Sequence, residues 1–115
     1  MKLDQAVSAF GALSQQTRLK TVRFLVRKAP DPVTAGDISL AMDVPQNTMS
    51  THLSILVNAR LLQSSRSGRS VLYTVDLDGL SDLVTYLVAD CCQGQPENCS
   101  AIVNSIVPKH ELTEA

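Results

Sequence analysis

Residues 34–59 read TAGDISLAMDVPQNTMSTHLSILVNA, and the fold turns on how this stretch breaks into elements. Thr34 followed three residues later by Asp37 has the spacing of a capping box, with Asp in place of the usual Glu. It predicts a short helix through Ile38, Leu40 and Ala41. Asp43-Val44-Pro45 then reads as a turn, since proline restricts the residue before it. A longer helix is predicted from Gln46 to Ala59, with Met49, Leu53 and Leu56 as its inner stripe and Ile55 and Val57 beside it. Two helices joined by a tight turn make a helix-turn-helix.

Beyond Leu61 the apolar period changes from about 3.6 to 2. Leu62 to Arg66, a Ser67-Gly68 turn, and Arg69 to Val75 read as a β-hairpin, with Val71, Tyr73 and Val75 on one face. A hairpin directly after a helix-turn-helix is a wing. Upstream, Leu3, Ala6, Val7, Phe10 and Leu13 recur at helical spacing. A second helix is predicted from Thr17 to Lys28, with Leu19, Val22 and Val26 on one face, stopped by Ala29-Pro30-Asp31-Pro32. Downstream, Leu77, Leu80, Leu83, Val84, Leu87 and Val88 mark a fifth helix, ended by Gln93-Gly94-Gln95-Pro96. Ile102, Val103, Ile106 and Val107 suggest one last short helix. The expected class is mainly α: a winged helix-turn-helix of about five helices plus a β-hairpin wing. Residues 1–92 would form the DNA-binding and dimerisation domain, and residues 93–115 a C-terminal ligand loop and tail.

The 115 residues suit one domain. With 44 % hydrophobic and only 3 % aromatic residues, the core must be aliphatic. No run approaches the roughly 18 apolar residues of a membrane span, and the first ten residues lack a secretory pattern. The expected location is cytoplasmic, with no membrane partner.

Net charge is -1, but it is unevenly laid out. Residues 1–43 carry six Lys/Arg and four Asp/Glu, residues 44–75 carry Arg60, Arg66 and Arg69 and no acid, and residues 76–115 carry Lys109 against seven acids. An acid-free centre can approach phosphates while an acidic tail stays away. Gln46, Asn47, Ser50, Thr51 and Ser54 give the second helix of the helix-turn-helix a polar outer face. Gln and Asn can pair bidentately with adenine, and Ser and Thr suit bases or phosphates. Arg66 and Arg69 flank the hairpin tip, within reach of a minor groove or of phosphates. His52 lies within the same helix and is expected in a structural or phosphate-contacting role. These residues together point to double-stranded operator DNA. One such domain offers few contacts, so a homodimer reading a palindrome is expected, with the first and fifth helices as the spare amphipathic surfaces.

The three cysteines, Cys91, Cys92 and Cys99, are an odd number and two are adjacent, which is not a disulfide framework. Cys91 and Cys92 sit about 100° apart on a helix, and Gly94 and Pro96 can return the chain so that Cys99 approaches them. Three thiolates suit a soft ion that accepts three sulfurs, such as trivalent arsenic or antimony. Zinc normally takes four ligands, and His110 is the one nearby candidate for a fourth. Thiols at a helix C-terminus should rest protonated, which also argues against an enzyme with a low-pKa cysteine. Three small apolar residues, or a redox pair made by Cys99 with one neighbour, are the alternatives.

The order of elements, together with Leu13-Ser14-Gln15-Gln16-Thr17-Arg18-Leu19, Ser50-Thr51-His52-Leu53-Ser54-Ile55-Leu56 and Gly68-Arg69-Ser70-Val71-Leu72-Tyr73, resembles the ArsR/SmtB family of metal-responsive bacterial repressors over roughly residues 4–92. The resemblance implies a homodimer that leaves its operator when an inducer binds, and no permanent cofactor. Two departures stand out. Arg60 occupies a place where the family usually has Gly, ending the recognition helix in a left-handed turn. The helix from Asp37 to Met42 lacks the family's Cys-x-Cys, and the last helix lacks the His of its zinc site. A subset of arsenic-responsive members carries a vicinal Cys pair plus one further Cys at the end of the fifth helix, and this chain resembles that subset. As(III) or Sb(III) is the implied inducer. A redox-responsive repressor using a Cys99 disulfide, or a sensor of another soft metal, is the alternative.

Overall fold

The computed structural model describes residues 1–88. In chain order these form α1 (Leu3–Leu13), α2 (Gln16–Lys28), β1 (Val33–Thr34), α3 (Ala35–Met42), α4 (Gln46–Asn58), β2 (Leu62–Ser67), β3 (Ser70–Val75) and α5 (Leu77–Val88). The strands make an antiparallel sheet ordered β1-β3-β2. This is a winged helix with five helices among the described residues. The chain divides into a compact unit, Met1–Leu83, and a second beginning at Val84. The expected boundary at 92/93 and the expected helix around 102–107 lie outside the described residues.

The core is built where the helix-turn-helix was predicted. Met49, Leu53 and Leu56 of α4 are fully buried, with Ile38 of α3, Leu25 of α2 and Leu61 and Leu62 beyond α4. Thr34 caps α3 by accepting from the Asp37 N–H at 3.1 Å. Asp43 ends α3 in the left-handed region, φ 56°. There its N–H and that of Val44 donate to the Leu40 and Ser39 carbonyls at 3.3 and 3.1 Å, closing the last turn so that α4 can start at once.

The flanking helices bury other faces than their large residues suggest. In α1 the core side is Ala6, Ala9 and Ala12, while Leu3, Val7 and Phe10 are exposed. Small side chains let α1 lie close to α2 and α4, and the bulky stripe is displaced outward. In α2 the buried residues are Thr21, Val22 and Leu25, with Leu19 and Val26 exposed. The Thr21 hydroxyl is satisfied by donating to the Thr17 carbonyl at 2.8 Å. Gln15 accepts from the Arg18 N–H at 2.9 Å, which starts α2 at Gln16 rather than Thr17. In α5 Leu83 is buried, whereas Leu77, Val84 and Leu87 are exposed.

The wing forms with its turn one residue later than expected. Ser67 pairs with Ser70, so Gly68 and Arg69 are the two loop residues, and Arg69 lies in the turn instead of opening the strand. Gly68 takes φ 62°, as the first central position of a two-residue hairpin turn requires. Strand β1 was not expected. It is two residues long, too short to show a period, and exists because Val33 and Thr34 pair with Tyr73 and Leu72 of β3.

The junction of α4, β2 and α5 is the tightest place in the molecule. Arg60 has φ 63°. Its N–H donates to Val57 O at 3.1 Å and the Leu61 N–H donates to Leu56 O at 3.0 Å, the two-bond pattern of a left-handed helix stop. Leu61 O then accepts from the Asp76 N–H at 2.9 Å, and Asp76 caps α5 by accepting from the Gly79 N–H at 2.9 Å. A Cβ at Gly79 would lie 1.8 Å from the Arg60 carbonyl oxygen. Gly79 is therefore the residue that lets α5 start against the Arg60 backbone.

Two opposite stability changes are expected here. Gly79→Ala forces backbone apart and should cost about 1–3 kcal/mol. Arg60→Gly relieves the left-handed strain of a residue with a Cβ and should gain roughly 0.5–1 kcal/mol after glycine's entropy is counted. Urea unfolding of both variants against the parent checks the pair of signs.

Candidate nucleic-acid interface

Helix α4 presents a polar face because its buried residues, Met49, Leu53 and Leu56, lie on the other side. Gln46, Asn47, Ser50, Thr51 and Ser54 are all exposed. At about 100° per residue they fall within an arc of roughly 140°, opposite the stripe of Met49, Leu53 and Leu56. The structure therefore brings these five candidate residues onto one surface. All are neutral and short enough to approach base edges, while the helix itself carries neither a cation nor a carboxylate.

His52 is not part of that surface. It sits roughly 170° round α4 from the centre of the polar arc and is half-buried. Its Nδ1 lies 3.1 Å from Nη1 of Arg18. An arginine has only donors, so Nδ1 accepts, and the neutral ring carries its proton on Nε2. Arg18 also donates from Nε to the Ala12 carbonyl at 2.7 Å. One guanidinium thus joins the end of α1, the start of α2 and the middle of α4. Its part was missed from sequence because a single Arg among five cations in α2 carries no pattern of its own. The structural half of the expectation for His52 matches this place; a contact to DNA from it would have to come from the side away from the polar arc.

Arg66 and Arg69 are exposed on the wing. Arg66 lies opposite Val71 in the β2–β3 register. Arg69, moved into the turn, borders an open cavity of about 350 Å³ together with Thr34, Ala35 and Gly36 of the α3 start. The wing tip therefore stands beside the first turn of α3. Arg60, the third cation of the acid-free segment, is paired with Asp82 of α5 at 3.0 Å. The acid-free centre thus has its charge at Arg66 and Arg69, with Arg60 partly compensated from outside it.

Cys91, Cys92 and Cys99 lie outside the described residues. Among the described residues no group of three or more His, Cys, Asp or Glu could hold a metal ion, and no helix is long and apolar enough to cross a membrane.

Comparison with known proteins fits this geometry. A family described as a helix-turn-helix domain matches residues 13–64. The chain is 31 % identical over 81 residues to the transcriptional repressor SdpR of Bacillus subtilis, covering 70 % of this chain and 87 % of that protein. It is 31 % identical over 88 residues to a probable mercury resistance operon repressor of Streptomyces lividans, covering 76 % and 66 % of the two chains. It is 35 % identical over 78 residues to an SmtB homolog, a transcriptional repressor of Synechocystis, covering 65 % and 57 %. The chain belongs to the ArsR/SmtB family of winged-helix repressors. It is a DNA-binding transcriptional repressor of that type, and its relatives are regulators rather than enzymes. Among solved structures, an ArsR-like regulator from Rhodococcus has a TM-score of 0.69 at 21 % identity, covering 90 % of this chain and 93 % of that one. A homodimeric winged helix-turn-helix DNA-binding domain from Mycobacterium bovis has a TM-score of 0.63 at 22 % identity, covering 79 % and 82 %. Both likenesses concern the fold.

The Arg18–His52 contact makes stability depend on pH. Burial, and then the Arg18 cation, hold the His52 pKa below its ordinary 6.5. The unfolded chain therefore binds a proton at higher pH than the folded chain does. The stabilisation is complete above about pH 6.5 and is lost as pH falls from there through the lower folded value. Urea midpoints at pH 7.5 and 5.5 should fall for the parent and fall less for His52→Gln. Equal falls would show that His52 does not report this pairing.

Proposed function

We propose that this repressor acts as a homodimer on palindromic operator DNA and releases it when trivalent arsenic, or antimony, is captured by the thiolates of Cys91, Cys92 and Cys99. The observation that carries the reading is the cysteine set. All three cysteines of the chain fall between residues 91 and 99, a vicinal pair and a third beyond a Gly-x-Pro, just after α5 in sequence. A soft three-coordinate ion is the ligand that such a set satisfies without a fourth donor. One relative is named for mercury resistance, and mercury is also thiophilic. The preference for arsenic rests on coordination number and on the resemblance drawn from the sequence. Because thiols must lose protons to bind, affinity for the inducer should rise with pH.

The dimer is supported by what α1 leaves uncovered. Leu3, Val7 and Phe10 lie at i, i+4 and i+7, and a continuous apolar stripe of this kind on an otherwise polar surface marks a partner. Leu77, Val84 and Leu87 of α5 are exposed too. The Mycobacterium bovis neighbour is itself homodimeric. On DNA, the polar face of α4 reads the major groove and the wing arginines hold the flanking backbone or minor groove.

A mobility shift on the selected operator with arsenite titrated in is the deciding experiment. Operator affinity should fall about 5–150-fold, the usual range of coupling between two sites. Unchanged binding at saturating arsenite would end the metalloid reading, and release by diamide but not arsenite would replace it with a disulfide switch. Cys99→Ser should abolish the response to arsenite if three sulfurs are needed. Val7→Glu should halve the mass seen in sedimentation and weaken operator binding along with it.

A further inference from the structure

We propose that Gly36 is a positioning residue for base recognition: the absence of a side chain at this point of α3 seats the Gln46 amide at the leading end of α4. The inference rests on the DNA-reading role given above to Gln46 and extends it to a second residue that makes no base contact of its own.

Gly36 is the second residue of α3 and has an ordinary helical backbone, so no left-handed conformation calls for glycine there. Alanine is intrinsically the better helix former. What sets the position apart is its neighbour. A Cβ built on Gly36 would stand 3.1 Å from Nε2 of Gln46, and the only other atom within 4 Å is Oγ1 of Thr34, at 4.0 Å. The Gln46 side chain thus lies back over the first turn of α3, close enough that a methyl group at 36 would push its amide by a few tenths of an ångström.

Gln46 is the first residue of α4, and the leading end of a recognition helix is the part that meets base edges. Gln46, Gly36, Ser39 and Leu40 border one open cavity of about 370 Å³ at the turn between the two helices. Among the described residues, no hydrogen bond holds the Gln46 amide. Its placement is steric, and both its donor and its acceptor remain available for the bidentate pair with adenine that glutamine can make. Because the crowded atom is the far end of a flexible side chain, a methyl at 36 would be accommodated by moving the amide. The fold would survive and the amide would be displaced. Gly36 also borders the cavity beside Arg69. It is therefore the residue of α3 that lies between the recognition helix and the wing tip.

The experiment uses the full chain. The parent protein enriches a consensus from a randomised duplex library, and every single-base variant of that site is then measured against the parent, Gln46→Ala, Gly36→Ala and the double variant. Gln46→Ala should erase discrimination at one base pair per half-site, normally about 5–150-fold for a bidentate contact. Gly36→Ala should lower discrimination at that same base pair by more than about threefold, part of the roughly 5–150-fold that a bidentate contact supplies, while other positions keep their preferences. Its melting temperature should be unchanged or raised. The double variant should be no worse than Gln46→Ala alone. Full discrimination in Gly36→Ala, additive losses in the double variant, or a uniform loss at all positions with a lowered melting temperature would each overturn the positioning role and leave the Gln46 reading standing. An unchanged profile for Gln46→Ala would overturn the reading of Gln46 itself, and the positioning role with it.

Discussion

The left-handed stop at Arg60 is the constraint on which the rest of this molecule depends. It closes the recognition helix, turns the chain into β2, and puts its carbonyl against α5 where only a glycine fits. Leu56 and Leu61, the residues bonded across the stop, are both fully buried, so the reversal is driven by burial as well as by hydrogen bonds. A residue with a Cβ is poorly suited to this conformation. It persists because the surrounding contacts leave no alternative: Leu61 O is taken by Asp76, and Asp76 holds Gly79 in turn. Helix, wing and last helix are therefore registered to one another through Arg60, Leu61, Asp76 and Gly79.

How much of this the sequence disclosed depends on the range over which each signal acts. The helix-turn-helix was legible because its determinants are local. The Thr34 cap, the Asp43 turn and the Met49, Leu53, Leu56 stripe all act within a few residues. The hairpin was legible as a change of period, but its tip was set by pairing, and Ser67 opposite Ser70 moved the turn to Gly68-Arg69. The face of α1 was misjudged for a definite reason. Hydrophobicity ranks Leu3, Val7 and Phe10 above Ala6, Ala9 and Ala12, whereas close helix packing selects the small residues. In α2 the expected face was right at Val22 but turned toward Thr21 and Leu25, leaving Leu19 and Val26 exposed. Strand β1 and the Arg18–His52 contact depend on partners more than thirty residues away in sequence, and neither leaves a local trace.

The candidate interface divides its labour between two kinds of chemistry. The α4 face is uncharged, so in the proposed complex it would add little to phosphate attraction and serve discrimination instead. The cations nearest that face in sequence are Arg66 and Arg69 on the wing, which the proposal assigns to phosphate or minor-groove contact. Arg66 and Arg69 are two exposed cations beside the candidate face, and each phosphate that such a cation neutralises adds about one released counterion to the salt dependence of operator affinity. This distribution also explains why a net charge of -1 is compatible with binding DNA. The carboxylates lie mainly beyond residue 75, and those of α5 are partly occupied: Asp76 as a cap and Asp82 on Arg60.

The Arg60–Asp82 pair bears on how the proposed inducer signal would reach the recognition helix. Its two side chains are 44 % and 48 % exposed, and surface pairs of this kind are worth about 0–1 kcal/mol. That is too little to carry a coupling of about 1–3 kcal/mol by itself. The contact one helical turn earlier is of another kind. Gly79 meets the Arg60 carbonyl as backbone against backbone, with no side chain able to yield between them. The first turns of α5 cannot rotate about their own axis without moving the Arg60 turn, and that turn is the end of α4. The departure from glycine at position 60 thus adds a weak electrostatic tether to a steric one, and the steric one is the stiffer of the two.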